Sequence, residues 1–460
     1  MQRMSESTPY FTSLGGVGEV GASAHLIEID GLTILLDCGL HPKKDGKSSL
    51  PDFSHLRRAP DAVIISHAHH DHCAALPYLL KMFPATVPYA TVPSVRILDR
   101  MLHNSVSVME KIHLEQGVED YPLYDHADVE AAVRRLYGIP MGQEFAVLPD
   151  SPVRVVFSSA GHVLGSASVL IKGTNHTVFY TSDVCAVDQE LMPALAVPDE
   201  AKKVDTLIIE STYGANEEAD RIVYEDEISR FAEGINRVID REGVVLVPSF
   251  ALGRTQEVLN ILARLQDTGK IPFVRIYASG LGRAIYEIYD RFRDELRPGA
   301  DLVPLDEFES IGDVWDPVQA RKLLKEPCII VATAGMLIEN TPSAMIAQHL
   351  VKDPRHGIFF VGYCDPATLG YKLRESQKGD KLIFRTGGEP IPMQLDDIQW
   401  YHFSAHAHRQ ELIELVDSIQ SKNLIYVHGD PPALDWMHGH SGNGRNKFLP
   451  RIGEAIALDG

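Results

Sequence analysis

Four imidazoles and one carboxylate crowd the six residues His67-Ala68-His69-His70-Asp71-His72. The apolar run Ala62 to Ile65 just before them reads as a buried strand. A strand-to-helix turn at that point can aim several of these side chains at one focus. Imidazole and carboxylate together suit zinc and its neighbours in the first transition series. The bland alternative is a solvated histidine-rich loop. Against it, further His and Asp residues follow apolar runs downstream, in the order a two-metal site needs. His162 lies among small residues after the strand Val153 to Phe157. Asp183 follows the strand Thr177 to Thr181, where its two oxygens could bridge two metals. His428 ends the strand Leu424 to Val427.

The elements around these residues fall into two patterns. In the first part, Phe11 to Leu14 reads as a strand leading into a glycine-rich loop, Gly15 to Gly21, which lacks the Lys-Ser/Thr ending of a P-loop. Ala24 to Ile29 and Leu32 to Leu36 form a hairpin about Asp30-Gly31, and the second strand runs into Asp37. Ala74 to Met82, Val106 to Glu115 and Asp128 to Tyr137 are helical candidates. After the strand that ends at Glu210, the pattern becomes an alternation of strands and helices. Asp226 to Arg241 and Phe250 to Leu265 are helices. Gly243 to Pro248, Phe273 to Ala278, Pro327 to Ala332 and Gly357 to Gly362 are strands. That alternation predicts a parallel sheet. Near the end, Pro431-Pro432 opens a short helix, and His438 to Arg445 reads as a loose loop.

At 460 residues the chain is long enough for two or three domains. Its 45% hydrophobic and 23% charged content are those of a soluble globular enzyme. Five Cys, none in a CxxC pair, argue against a disulfide framework or a zinc ribbon. Met1 to Tyr10 has no leader-like apolar segment, and no run approaches the ~18 apolar residues of a membrane span. A cytoplasmic location is the expectation. The formal net charge of −20 speaks against broad electrostatic binding of nucleic acid. Two divalent cations would nonetheless place about four positive charges at a local site.

The spacing His67-X-His69-X-Asp71-His72 resembles the signature of the metallo-β-lactamase superfamily. There the first two His bind one metal, and the Asp and last His bind the second. His70 falls between the signature positions and is expected to be exposed or to support a neighbour. Asp37 matches an Asp that orients the metal site from behind. His162 matches a further ligand, and Asp183 the bridging aspartate. Glu210-Ser211-Thr212-Tyr213-Gly214 resembles motif A of the β-CASP group, the branch that processes nucleic acids. Trp400 to His408 resembles motif B, with His406 as its His; where an Asp is common two residues later, this chain has His408. His428-Gly429-Asp430 resembles motif C, where a His marks members acting on RNA and a Val the DNA-processing branch. Val247 to Glu257, Ala332 to Met336 and Gly362 to Cys364 match stretches typical of these enzymes. They lie at the carboxyl ends of expected strands, where α/β sheets place ligand contacts. Ser249, Arg254 and Gly335 are therefore candidates to hold substrate phosphate.

The resemblance implies an α/β architecture: an αββα sandwich from residues 1–212 and 391–460, with an α/β β-CASP domain inserted at 213–390. It implies two Zn2+ per chain. One sits on His67, His69, His162 and Asp183, the other on Asp71, His72, Asp183 and His428. It implies two-metal hydrolysis of RNA phosphodiesters, endonucleolytic, 5′-exonucleolytic or both, with Asp71, Glu210 and His406 as catalytic residues. In that scheme Glu210 orients His406, which protonates the leaving oxygen. Single-stranded RNA is the implied partner, no membrane is involved, and a homodimer is left open. Two other readings stand beside this one. The same site could serve a hydrolase of DNA, a small phosphoester or a thioester. The chain could also be a non-catalytic scaffold of an RNA-processing complex, which the full complement of ligand positions disfavours.

Overall fold

The computed structural model describes residues 8–458, so most of the stretch Met1 to Tyr10 lies outside the described residues. The chain divides into two compact units. One comprises the chain up to Asp188, Pro193–Asp220 and everything from His406 onward. The other comprises Gln189–Met192 and Arg221–Ala405.

The first unit holds two seven-stranded sheets. One runs, in spatial order, Ala455–Ala457, Tyr10–Gly15, Ala24–Ile29, Leu32–Leu36, Ala62–Ile64, Val87–Thr91 and Tyr137–Ile139. The other runs Asn446–Phe448, Gln420–Val427, Lys203–Glu210, Thr177–Tyr180, Ala167–Lys172, Arg154–Ser159 and Phe145–Ala146. The expected hairpin pairs Ile29 with Leu32 and turns on Asp30 and Gly31, both left-handed at φ 48° and 79°. That is the geometry a two-residue hairpin demands. Alternate side chains of a strand face opposite ways. Ile27, Ile34, Leu36 and Ile64 of one sheet thus meet Phe157, Val169, Tyr180, Ile208 and Val427 of the other in one buried core. The alternate set Leu170, Phe179, Leu207 and Leu424 meets Leu412 and Val416 of helix Arg409–Ser418 and Leu434 and Met437 of helix Pro431–His440. Helices Leu76–Met82, Val92–Gln116 and His126–Arg135 group together beside strands Val87–Thr91 and Tyr137–Ile139. The layers are therefore αββα.

Helix Val92–Gln116 is longer than its expected core at Val106 to Glu115. Its buried Ile97, Leu98, Leu102, Val106 and Met109 recur at helical spacing, the Thr91 hydroxyl accepts from Ser94 N–H, and left-handed Gly117 ends it. Strands Val87–Thr91 and Ala167–Lys172 were not anticipated. The expected loose loop at His438 begins three residues later, at Ser441, because helix Pro431–His440 runs through its start.

The second unit is built on a six-stranded parallel sheet in the order Glu309–Ser310, Arg275–Ala278, Cys328–Ala332, Val244–Pro248, Gly357–Phe360 and Asp397–Trp400. Its central strands are buried on both faces, which is why they read as unbroken apolar runs. On one face Leu246, Ile330, Ile358 and Phe360 pack on Ile346 and Leu350. On the other, Phe231 of helix Tyr224–Asp240 sets its ring edge-on to Phe359 and Tyr401. The helix expected from Phe250 starts at Arg254, because Gly253 at φ 83° interrupts the backbone there.

Strand Asp397–Trp400 hydrogen-bonds in parallel to Gly357–Phe360 and packs with the second unit, and the first unit resumes at His406. The bridge between Tyr213 and His408 and the Arg409–Asp220 ion pair hold residues 213–220 in the first unit.

Candidate active site

The first cluster is built where strand Ala62–Ile64 ends. His69 precedes a single helical turn, His70–Cys73. Main-chain bonds from Ser23 N to Asp71 O and from Cys38 N to His72 O, both 2.8 Å, tie that turn to the neighbouring loops. Gly39 makes the approach close enough: a Cβ there would stand 1.8 Å from the Asp71 carbonyl oxygen. Asp37, Ser182 and His428, at φ 60°, 55° and 50°, all occupy the left-handed region at strand ends. Such sparsely populated backbone gathers at functional sites.

All seven expected ligands come together within this unit, as two sets that share Asp183. In the first, His69 Nδ1 stands 3.1 Å from His67 Nε2 and 3.0 Å from His162 Nε2. Asp183 Oδ2 lies 3.7 and 3.8 Å from those two Nε2 atoms. In the second, His72 Nε2 stands 3.2 Å from His428 Nε2 and 3.3 Å from Asp183 Oδ2, and Asp71 Oδ2 stands 3.3 Å from His428 Nε2. Four ligand atoms about 2.0–2.1 Å from one tetrahedral ion lie about 3.3 Å apart. The observed spacings scatter around that value, so the two sets are the right size for a cation each. His70 is exposed and belongs to neither set.

Hydrogen-bond accounting also fits a cation. His72 Nδ1 stands 2.8 Å from the Asp37 carboxylate, so a neutral ring presents a lone pair at Nε2, facing the lone pairs of Asp183 Oδ2. Asp183 Oδ1 is buried and accepts no hydrogen bond, although His428 Nδ1 is 3.2 Å away. Orphaned buried acceptors of this kind are rare in proteins. Burial pulls the His67 imidazole well below its ordinary pKa. Burial pulls His72 down too, but Asp183, Asp71 and Asp37 together hold it well above. Burial would raise Asp183, yet His428 and His72 keep its carboxyl well below the usual range. The carboxylate is thus ionised.

Glu210 and His406, 196 residues apart, meet beside these sets. His406 Nδ1 lies 3.1 Å from Glu210 Oε2, and Glu210 Oε1 accepts from Val184 N–H at 2.7 Å. Burial lowers the His406 pKa, but Glu210, helped by Asp183 and Asp71, overrides it and holds the ring at about 9. The His406 ring stands 4.6 Å from that of His162. His408, in place of the acidic residue, stacks on Tyr213, whose ring is edge-on to His406. His408 thus braces the loop by aromatic contact, beside the Arg409–Asp220 ion pair.

Ser249, Arg254 and Gly335 belong to the second unit. Ser249 and Gly335 follow the neighbouring strands Val244–Pro248 and Cys328–Ala332, with Ser249 N donating to Ala332 O at 2.9 Å. Arg254 is largely buried, and its guanidinium reaches Gln189. Ser66, Tyr180 and Thr212 were not singled out in the sequence. Ser66 and Tyr180 bond Asp37, and Thr212 Oγ1 lies 3.1 Å from His428 Nδ1. Only the position of Ser66, immediately before His67, was a signal.

Three family models match the chain in series. They are the metallo-β-lactamase superfamily over residues 17–184, the β-CASP domain over 255–373, and the RNA specificity domain of Zn-dependent metallo-hydrolases over 390–450. Over 91% of its length the chain is 30% identical to cleavage and polyadenylation specificity factor 73 of Drosophila melanogaster and 32% identical to transcription termination factor FttA of Pyrococcus horikoshii. It is 30% identical, again over 91%, to endoribonuclease YSH1 of Yarrowia lipolytica. The match spans 59%, 66% and 50% of those relatives' own lengths. A crystal structure of an Enterococcus faecalis protein of unknown function shares the fold, with a TM-score of 0.61 at 16% identity, covering 98% of this chain and all of that one. The chain belongs to the β-CASP group of the metallo-β-lactamase superfamily, a fold that binds divalent metal.

Proposed function

We propose that this protein is a zinc-dependent ribonuclease that cuts single-stranded RNA endonucleolytically, 5′-exonucleolytically or both. The observation that carries the reading is the His406–Glu210 pair set against two nested ligand sets. A metal site alone would serve many hydrolases. A charged imidazole held beside it is what a poor alkoxide leaving group requires. When bound, two zinc ions would supply Lewis-acid activation of water and of the phosphodiester. The nitrogen-rich donor sets support zinc over the harder oxygen-seeking cations.

The rest falls to the chain's own groups. Asp183 holds both ligand sets in register through Oδ2, which stands near His67 and His162 on one side and His72 on the other. Asp71 completes the second set. Glu210 keeps the Nδ1 proton of His406, so that Nε2 presents its own proton to the departing oxygen. Ser249, Arg254 and Gly335 are proposed to bind substrate phosphate. His428 supports RNA over DNA, in line with the similarity to an endoribonuclease and the match to an RNA specificity domain. Five buried free cysteines support a reducing compartment such as the cytoplasm. Among the described residues no helix is long and apolar enough to cross a membrane.

The test is cleavage of internally and 5′-labelled single-stranded RNA against DNA of the same sequence, with zinc added back to chelated protein. Internal cuts in RNA alone are expected. Equal cleavage of DNA would move the assignment to a general nuclease. Zinc uptake without cleavage of either strand would favour a scaffold role.

A further inference from the structure

We infer that Ser66 is a positioning residue that joins the two ligand sets through one buried carboxylate. The protons and lone pairs around Asp37, which is fully buried, fix the arrangement. As an ionised acid it can only accept. It takes Ser66 N–H on Oδ1 at 2.7 Å. On Oδ2 it takes the Tyr180 hydroxyl at 2.8 Å, His72 Nδ1 at 2.8 Å and the Ser66 hydroxyl at 2.9 Å. The single Ser66 hydroxyl proton is thereby committed to Asp37. Its oxygen keeps two lone pairs. One accepts the Ser182 hydroxyl at 2.7 Å. The other faces His67 Nδ1 at 3.1 Å, so the proton of that contact belongs to His67.

This assignment leaves no freedom in either ring. His72 carries its proton on Nδ1 because Asp37 demands it. His67 carries its proton on Nδ1 because Ser66 has none left to give. When neutral, as a bound cation needs them, both rings therefore turn a bare Nε2 inward, one to each ligand set. His67 reaches Asp37 only through Ser66, whereas His72 reaches it directly. Loss of the hydroxyl should disturb the first set and spare the second. The closest substitute acceptor for His67 is the Ser182 oxygen at 3.5 Å, too far to replace it.

The inference rests on the metal reading above, and two measurements on the full-length chain separate the two. Metal-free protein with 15N-labelled histidine reports the tautomers with no ion present. In the wild type, His67 and His72 should both carry Nδ1–H. In Ser66→Ala only His67 should lose that state, and Ser66→Thr should keep it. Titration of the same proteins with Co2+, followed by its visible bands, reports the two sets. Supporting hydrogen bonds behind a metal-bound His are worth about 10–100-fold in affinity. Ser66→Ala should lose about that factor in one binding step only, Asp37→Asn in both, and Ser66→Thr in neither. An unchanged His67 tautomer in Ser66→Ala, or equal weakening of both steps, would overturn the relay. Wild-type protein that takes up no Co2+ would overturn the metal reading, while the tautomers would still decide the relay.

Discussion

Replacing His406 by Ala should separate proton donation from metal chemistry. An RNA alkoxide leaves poorly unless it is protonated as the bond breaks, and a positioned acid is typically worth about 10²–10⁴ in rate. The variant should lose about that factor on RNA, or about 2.7–5.5 kcal/mol of barrier. On bis-nitrophenyl phosphate, whose leaving group is stable as an anion, it should lose little. The companion variant Glu210→Gln tests why His406 carries a proton at all. At 3.1 Å the pair attracts by about 5 kcal/mol for an effective dielectric near 20. Burial offsets part of this, and the ring stands at about 9, so at pH 7 about 99% of it is charged. Without Glu210 the ring loses its largest support against burial, so its pKa falls and less of it is charged at pH 7. Bound cations lower both values together, so the displacement between them is the quantity to measure. The acid must be protonated to act, so activity falls as pH rises through its pKa. The alkaline limb of kcat/KM on RNA should therefore move to lower pH in Glu210→Gln, with the metal content unchanged. Equal losses of His406→Ala on both substrates would refute the reasoning and make His406 a phosphate-positioning group. Loss of metal from Glu210→Gln would place Glu210 among the ligands.

Asp183→Ala should lose more bound metal than any single His variant, because its Oδ2 stands near ligand atoms of both sets; metal analysis of the dialysed protein checks this. Gly39→Ala should abolish metal uptake or stable folding, since its Cβ would press on the Asp71 carbonyl and displace the ligand turn; circular dichroism with metal analysis separates the two outcomes. Phe231→Ala should destabilise the second unit by about 3–5 kcal/mol, the usual cost of emptying a buried aromatic site. Denaturant unfolding should show this while metal content stays normal.

Much of this molecule was open to reading along the chain, for local reasons. The turn from His67 to His72 gathers its ligands within six residues, so spacing alone pointed to a metal. The hairpin at Asp30-Gly31 and the parallel sheet of the second unit follow from short-range turn chemistry and from apolar runs that only a doubly covered sheet produces. His162, Asp183, Glu210, His406 and His428 were reached by resemblance, because nothing near each one in sequence declares its role.

Only the tertiary structure decided the remainder. Strand Asp397–Trp400 could have opened the returning segment, but its hydrogen bonds to Gly357–Phe360 place it in the second unit. Helix Val92–Gln116 mixes polar and apolar residues evenly enough to hide its first half until a packed face selects Ile97, Leu98 and Leu102. His408 contradicts the motif in charge, yet its stack on Tyr213 supplies the brace. The state of the ligands themselves is set by direction as well as identity. Whether an imidazole offers a proton or a lone pair to a cation depends on what its far nitrogen meets, and for His67 and His72 that is Ser66 and Asp37, brought there by the sheet.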